Sequence, residues 1–350
     1  MMKIYQIDPI KDARWSDFVT RHVQASVFHT VGWLEALRST YAYEPAVFTT
    51  SSPSDELSNG LLFCRVQSWI TGSRLVSLPF SDHCEPLCDS QEDLAFLIRY
   101  LQTCMEHENL RYLEVRPVNG SFAGAGETIG FGPSGAYYLH VLDLRREPGE
   151  LLESFDQDSV QRRIKRAERA GLIERCGRSD GLLKDFYKVF VKTRGVHGLP
   201  PSPYKWFRNL AQCSGEALEV RVAYRANTAI AAILTLHCKN VVYYKYGCSD
   251  PQFKMFGAMP WLLWRAIAAA KSNGASHFEL GRTQEHNAGL LAFKNHWVSQ
   301  PQRLVYWRFP ESISLDSRAS WKLDVAKRVF SLMPSRLLTV AGSVMYRHIG

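Results

Sequence analysis

Hydrophobic residues recur at two spacings along this chain, and the order of those spacings repeats. In the first half, short apolar runs stand at Ala46–Thr50 and Leu61–Val66, on either side of the Ser/Pro/Asn-rich stretch Ser51–Gly60. Short apolar runs bounded by turn formers predict a hairpin-like pair of strands. A third strand pattern follows over Arg74–Phe80. The spacing then changes to three and four from Glu92 to His107, which predicts an amphipathic helix, and a strand pattern returns over Tyr112–Arg116. The second half repeats the series. It has strands over Glu219–Tyr224 and Ile230–His237 about a turn at Ala226-Asn227, a strand over Val241–Tyr246, a helix from Met259 to Lys271, and a strand His277–Leu280 ending at Arg282. Each half closes on a glutamate in its last strand and an arginine just after it, Glu114/Arg116 and Glu279/Arg282. The expected fold class is mixed α/β (α+β), built as two copies of one unit, each a mixed, mostly antiparallel sheet flanked by helices.

The segment joining the halves contains the basic run Arg162–Gly171, whose Gly171 is placed to end a helix at the first position beyond its cap. The expected organisation is an N-terminal domain over 1–145, a basic helical connector over 146–180, a C-terminal domain over 181–310 and a basic amphipathic helical tail over 311–350. Asn119–Gly135 holds six glycines after a strand, but no helix pattern follows as a dinucleotide site requires, so a long loop leading to a strand over Tyr137–Leu144 is expected. Gly198–Pro203 reads as a stiff turn before a helix over Tyr204–Gln212, in which Trp206 and Phe207 are core or cleft wall.

At 350 residues the chain exceeds the usual single core. Its net charge of +8 suits an anionic partner such as a nucleotide, a tRNA acceptor end, a phosphorylated lipid or a membrane face. The tail from Asp316 carries six Lys/Arg against two Asp. It reads either as packing across the two domains or as a helix lying on an anionic membrane surface. The eight cysteines include no C-x-x-C pair, so reduced thiols are expected, and His83-Cys84 with Cys88 is half a metal site lacking its other half. No metal is expected. The N-terminus has no apolar core of the secretory type, and the best apolar run, Ala258–Ala270, is cut by Arg265. A cytosolic protein, at most peripheral to the inner membrane face, is expected.

The candidate chemistry lies in Glu279–Trp297. Phe278 and Leu280 alternate as in a strand, Gly281 breaks it, and Asn287 can cap a helix whose Leu290, Leu291, Phe293 and Trp297 follow helical spacing. Lys294 falls among these apolar positions, where a lysine either snorkels to water or is held as a fixed cation beside a ligand.

Together with Phe28–Trp33, Ser77–Asp82, Arg162–Leu172 and Gly195–Pro203, this block resembles the FemAB-related branch of the GNAT acyltransferase superfamily, over almost the whole chain. The order hairpin, third strand, helix, further strand is the core order of the GNAT fold. The resemblance implies tandem GNAT-like domains and acyl or aminoacyl transfer to an amine of a cell-envelope or exopolysaccharide precursor. It further implies that the Phe293-Lys294 pair borders the acceptor site, with Lys294 stabilising the transition state. Two departures stand out. The Asp-x-Gly-Gly-Pro-Leu of the family is Asp82-His-Cys-Glu-Pro-Leu87 here, and the loop that ordinary GNAT enzymes use for the acetyl-CoA pyrophosphate is Lys254-Met-Phe-Gly-Ala-Met259, with Met259 where a small residue belongs.

Acyl transfer to an amine requires a deprotonated amine, a positioned carbonyl and donors aimed at the developing oxyanion, and no enzyme nucleophile. Lys294 is the expected oxyanion donor, assisted by backbone N–H groups around Tyr244–Gly247. Arg282 suits a phosphate or carboxylate, or pairs with Glu279. Glu285 and His286 are candidates to take the amine proton, unless His286 is simply a solvent-exposed residue at the helix start. Asp82, Arg116, Tyr244, Tyr246, Glu279, Asn287, Phe293 and Trp297 are expected to contact substrate. The expected donor is an aminoacyl-tRNA or an acyl-CoA or other acyl thioester, with no tightly bound cofactor, and the acceptor is a small or lipid-linked precursor; no DNA partner is expected. Two rival readings are a CoA-dependent N-acetyltransferase, which Met259 disfavours, and a non-catalytic scaffold of a polysaccharide-export assembly.

Overall fold

The structure, a computed structural model, describes residues 3–69, 72–118, 120–311, 330 and 333–349. The described residues divide into two compact units, one within Met1–Tyr137, Arg303–Ser317 and Val344–Gly350, the other within Tyr138–Gln302 and Arg318–Ser343.

The first unit contains β1 (Tyr5–Ile7), α1 (Ala13–Arg21), α2 (Val31–Tyr41), β2 (Glu44–Thr49), β3 (Leu61–Val66), β4 (Arg74–Val76), α3 (Gln91–His107), β5 (Leu113–Val115) and α4 (Ser121–Thr128). Strands β1 to β4 pair antiparallel in turn, and β4 then pairs parallel with β5. Helix α3 makes that parallel crossover. Ser90 caps it by accepting from the Asp93 N–H, and Leu94, Leu97, Ile98 and Leu101 form its buried stripe. The stripe packs in one core with Phe63, Leu75, Leu113 and Val115.

The second unit contains β6 (Gly132–Asp143), which enters it at Tyr138, then α5 (Pro148–Ser154), a π-turn at Gln157–Gln161, α6 (Arg162–Arg169), β7 (Ile173–Gly177), α7 (Asp180–Val196), α8 (Tyr204–Ser214), β8 (Leu218–Arg225), β9 (Thr228–Cys238), β10 (Val241–Ser249), α9 (Ala258–Ser272), β11 (His277–Gln284) and α10 (Ala288–Asn295). Its strand order is β6-β11-β10-β9-β8-β7. Strands β7 to β10 pair antiparallel in turn and β10 pairs parallel with β11, with α9 as the crossover. Three antiparallel pairings and one parallel pairing around a helix thus occur in both units, which is the internal repeat in physical form.

Several expectations change. The 146–180 segment is part of the second unit, because Val160, Ile164 and Ala167 enter its core and β7 pairs with β8. The strand β12 (Gln302–Phe309), expected in the second domain, lies antiparallel on β5 of the first unit, with Trp307 opposite Val115 and Arg308 opposite Glu114. The strand over Arg74–Phe80 stops at Val76, since Leu78 and Phe80 take left-handed backbone angles. The glycine-rich stretch is not all loop: α4 forms there around Phe122, which is fully buried. Trp206 and Phe207 are core residues. In the tail, α11 (Ser335–Ile349) is described, whereas the amphipathic positions Trp321, Val325, Val329 and Leu332, with Lys322, Lys327 and Arg328, lie outside the described residues. Among the described residues no helix is long and apolar enough to cross a membrane.

Candidate functional site

Strands β10 and β11 are paired only through Val241–Tyr243 against His277–Glu279, yet β10 runs on to Ser249 and β11 to Gln284. They part just where β10 bulges: Tyr244 faces Thr235 and Tyr246 faces Leu234, leaving Lys245 as the extra residue. A bulge takes the extra residue's backbone groups off the ladder and resets the alternation of side chains. Tyr244 and Tyr246 consequently point to opposite faces. The Tyr244 ring packs on the α9 side and its hydroxyl lies 3.9 Å from Met259 Sδ; burial pushes its pKa far above the usual tyrosine value. The Tyr246 hydroxyl accepts from Trp206 Nε1 at 2.8 Å and its ring meets Phe190 and Phe207. Gly247 makes room for Tyr244, because a Cβ there would stand 1.7 Å from the Tyr244 hydroxyl.

Beyond β11 the chain turns at Glu285-His286, and the Asn287 side chain caps α10 by accepting from the Leu290 N–H at 3.2 Å. Lys294, one residue from the end of α10, reaches back to the strand. Its Nζ donates to the carbonyls of Gly281 (2.7 Å) and Arg282 (3.0 Å), and the residue is only 3% exposed. A buried ammonium on two backbone oxygens is a fixed cation, so snorkelling is ruled out. Next to it, His140 of β6 is fully buried, with Nε2 2.8 Å from Asn295 Oδ1. Burial holds the His140 pKa below its usual value, the bond to Asn295 opposes this, and the charge of Lys294 adds to the depression.

A cavity of ≈ 490 Å³ opens where β10 ends and α9 begins. Phe293 of α10 and His296, its C-cap, form one wall, Met259 and Pro260 of α9 another, and Arg163, Lys254 and His197 bring basic groups to it. The N–H groups of Ala258 and Met259, at the first turn of α9, have no helical acceptor and carry the positive end of the helix dipole. The one acid in the wall, Asp250, is paired with Lys192 at 2.9 Å. The cavity is therefore electropositive and suits an anionic group. Gly257, at φ 71°, is the residue on which α6 closes: a Cβ would sit 2.4 Å from the Arg163 carbonyl oxygen.

Of the residues expected from sequence, Lys294, Arg282, Glu279, Tyr244 and Phe293 all belong to β10, β11 and α10 around this parting. Phe293 lines the cavity, Glu279 is buried on β11, and Arg282 is half-buried with its carbonyl on Lys294. Glu285 and His286 are exposed in the turn and lie outside the cavity wall. Asn287 is a helix cap. Trp297 is a core residue, tilted on Phe155 at 4.9 Å, because the helical spacing that aligned it with Phe293 turns it into the packed side.

Asp82 and Arg116 belong to the first unit. The Asp82 carbonyl accepts from the Tyr306 hydroxyl at 2.6 Å. Arg116 is bound to the buried Glu114 at 2.9 Å and to the Leu78 carbonyl at 2.6 Å, and Glu114 also accepts from Arg308 at 2.6 Å. Burial alone would raise the Glu114 pKa, but the two guanidinium groups hold it below its usual value. Beyond the β4–β5 pairing, Ser77 Oγ accepts from the Arg116 N–H and the Arg116 carbonyl accepts from the Cys84 N–H, at 2.8 and 2.7 Å. The place that corresponds to the parting of β10 and β11 is thus bridged by the chain itself.

Sequence reasoning picked out the Lys254–Met259 loop but missed Arg163, His197 and His296 at the cavity and His140 beside Lys294. Arg163 lay in a run that read as a solvated helix face, and the histidines follow no spacing rule. Among the described residues no cluster of His, Cys, Asp or Glu has metal-holding geometry.

Residues 157–295 match the acetyltransferase (GNAT) domain family, a stretch that contains the cavity, the bulge and Lys294. No curated protein matches the sequence. The fold is similar to that of FemX, with 13% identity, 88% of this chain and 97% of that one covered, and a TM-score of 0.68. It is similar to the C-terminal DUF2156 domain of a protein named as a lysylphosphatidylglycerol synthetase of Agrobacterium fabrum (14% identity, 92% and 96% covered, TM-score 0.57). A tandem GNAT protein from the clavulanic acid biosynthesis pathway is also similar, at 11% identity with 87% and 97% covered and a TM-score of 0.58. At such identities the likeness is one of fold.

Proposed function

We propose that this chain, whose residues 157–295 match the acetyltransferase (GNAT) domain family, is an acyltransferase that transfers an acyl or aminoacyl group from a phosphate-bearing donor to an amine of a cell-envelope or exopolysaccharide precursor. The observation that carries this reading is the parting of β10 from β11 at the Tyr244–Tyr246 bulge, beside an electropositive cavity at the start of α9. The anionic part of the donor, an aminoacyl-tRNA end or an acyl thioester, sits in the cavity against Arg163 and Lys254. Its carbonyl lies along β10 at the bulge, where the backbone groups of Lys245 are off the ladder. The amine attacks that carbonyl directly, negative charge develops on the carbonyl oxygen, and the fixed cation of Lys294 with the bulge amides stabilises it. The carbon–oxygen or carbon–sulfur bond to the donor breaks as the new amide bond forms, and the leaving oxygen or sulfur takes up the proton that the amine loses; no group on the protein is acylated.

The fold likeness to a domain named for lysylphosphatidylglycerol synthesis supports an aminoacyl group and a lipid-linked acceptor. Met259 and the closure of α6 on Gly257 work against acetyl-CoA. Mass spectrometry of envelope precursors from cells with and without the protein tests the reading. It predicts one amine-bearing precursor heavier by an acyl or aminoacyl residue only when the protein is present. Identical precursor pools would refute it.

A further inference from the structure

Helix α11 has apolar residues on two sides. One side is packed: Leu338 is buried, and a Cβ at Gly342 would stand 2.0 Å from the Pro201 carbonyl oxygen. On another, Leu337, Val340 and Val344 are 58%, 61% and 57% exposed. Their spacing of three and four places them in one stripe along the helix. A helix resting on a protein normally turns such a stripe inward, and isolated exposed aliphatics need no explanation, but three in register do.

The charges around the stripe are of one sign. The helix sequence contains Arg336, Arg347 and His348 and no acidic residue, and Arg347 is exposed next to Val344. The sequence from Asp316 to Gly350 adds Arg318, Lys322, Lys327 and Arg328 against Asp316 and Asp324. Trp69, 86% exposed, meets the His348 ring edge-on at 5.8 Å. Aliphatic side chains facing out along a helix that carries cations and no acid are the combination that partitions into the headgroup region of a bilayer. The helix is too short to span: fifteen residues rise about 22 Å, against roughly 30 Å of hydrocarbon.

We propose that α11 is an interfacial helix that seats the protein on an anionic lipid surface, with Leu337, Val340 and Val344 entering the acyl boundary and Arg347 on the headgroups. The surface is independent of the acyl-transfer reading and is tested without any activity. The full chain is sedimented with vesicles of phosphatidylcholine with and without phosphatidylglycerol, at low and high salt. The expected result is binding to the anionic vesicles that weakens as salt screens it. The variant Leu337→Ser/Val340→Ser/Val344→Ser should bind at least about tenfold more weakly, with an unchanged melting temperature, since the replaced side chains are exposed. Arg347→Glu should weaken binding to anionic vesicles only. Absence of vesicle binding, equal binding by the triple variant, or light scattering that finds the stripe holding two copies together would each overturn the proposal.

Discussion

Replacing Lys294 with methionine keeps the aliphatic stem and removes the charge, which separates what the residue does for the fold from what it does for the reaction. Its ammonium lies 2.7 and 3.0 Å from two carbonyls of β11 and is almost fully enclosed. Leaving a buried acceptor unsatisfied costs about 1–3 kcal/mol, so two would cost roughly 2–6 kcal/mol. Against a total of about 5–15 kcal/mol the variant stays folded at room temperature but melts several degrees lower. The sequence alone gave no reason to expect any loss of stability from removing this side chain. Loss of one preorganised oxyanion donor costs about 100- to 1,000-fold in rate, roughly 3–4 kcal/mol. Lys294→Arg should recover part of the stability and little of the rate, because a planar fork does not place its charge where an ammonium does. Melting curves and single-turnover transfer on the same samples make the comparison. A lowered melting temperature with near-normal turnover would mean that Lys294 only ties α10 to β11, and the oxyanion role would be lost.

Gly247→Ala places a methyl group 1.7 Å from the Tyr244 hydroxyl, so the ring must leave the α9 side; transfer should fall at least about tenfold, and a high-resolution structure with Tyr244 unmoved would contradict this. Calorimetry should find acetyl-CoA binding weaker than roughly 0.1 mM, because Met259 occupies the cradle wall; low-micromolar binding would restore the acetyltransferase reading. In the first unit, burial lowers the His29 pKa to about 3, while its Nδ1 and Nε2 meet the Ser26 N–H and the Glu85 carbonyl. The unfolded chain titrates that histidine near 6.5 and so takes up the proton first on acidification. Stability is therefore fully present above about pH 6.5 and is lost at about 1.4 kcal/mol per pH unit as pH falls toward 3. His29→Gln should flatten that slope in melting curves between those limits, and parallel slopes for the two proteins would refute the assignment.

Much of the repeat was legible because local patterning decides it. Leu61–Val66 is a short apolar run beside a turn-rich stretch and is a strand with those bounds; Asn287 reads as a cap and is one; Gly171 ends α6 in a left-handed conformation. What failed depends on partners that lie far away in sequence. Nothing in Gln302–Phe309 announces that Arg308 will meet Glu114, 194 residues away, so these residues fell within the range expected for the nearer domain. Trp297 shares a helical phase with Phe293, and phase identifies a common side without identifying what covers it. The basic face of α6 looked solvated because charge patterning cannot reveal that Gly257 draws the helix, and Arg163 with it, onto the start of α9. The site was legible as a lysine helix following a strand, but not as the cavity in front of it.

The central claim is that the acyl group passes in one step from donor to amine at the parting of β10 and β11. It is tested most directly by rapid-quench intact-mass spectrometry of the protein during turnover, with labelled aminoacyl-tRNA and acyl thioester offered in parallel alongside an envelope-precursor extract. The account predicts label appearing on an amine-bearing precursor while the mass of the chain never rises by an acyl residue, and loss of that product in Lys294→Met. A transient acyl adduct on the chain, or unchanged product formation by Lys294→Met, would contradict it.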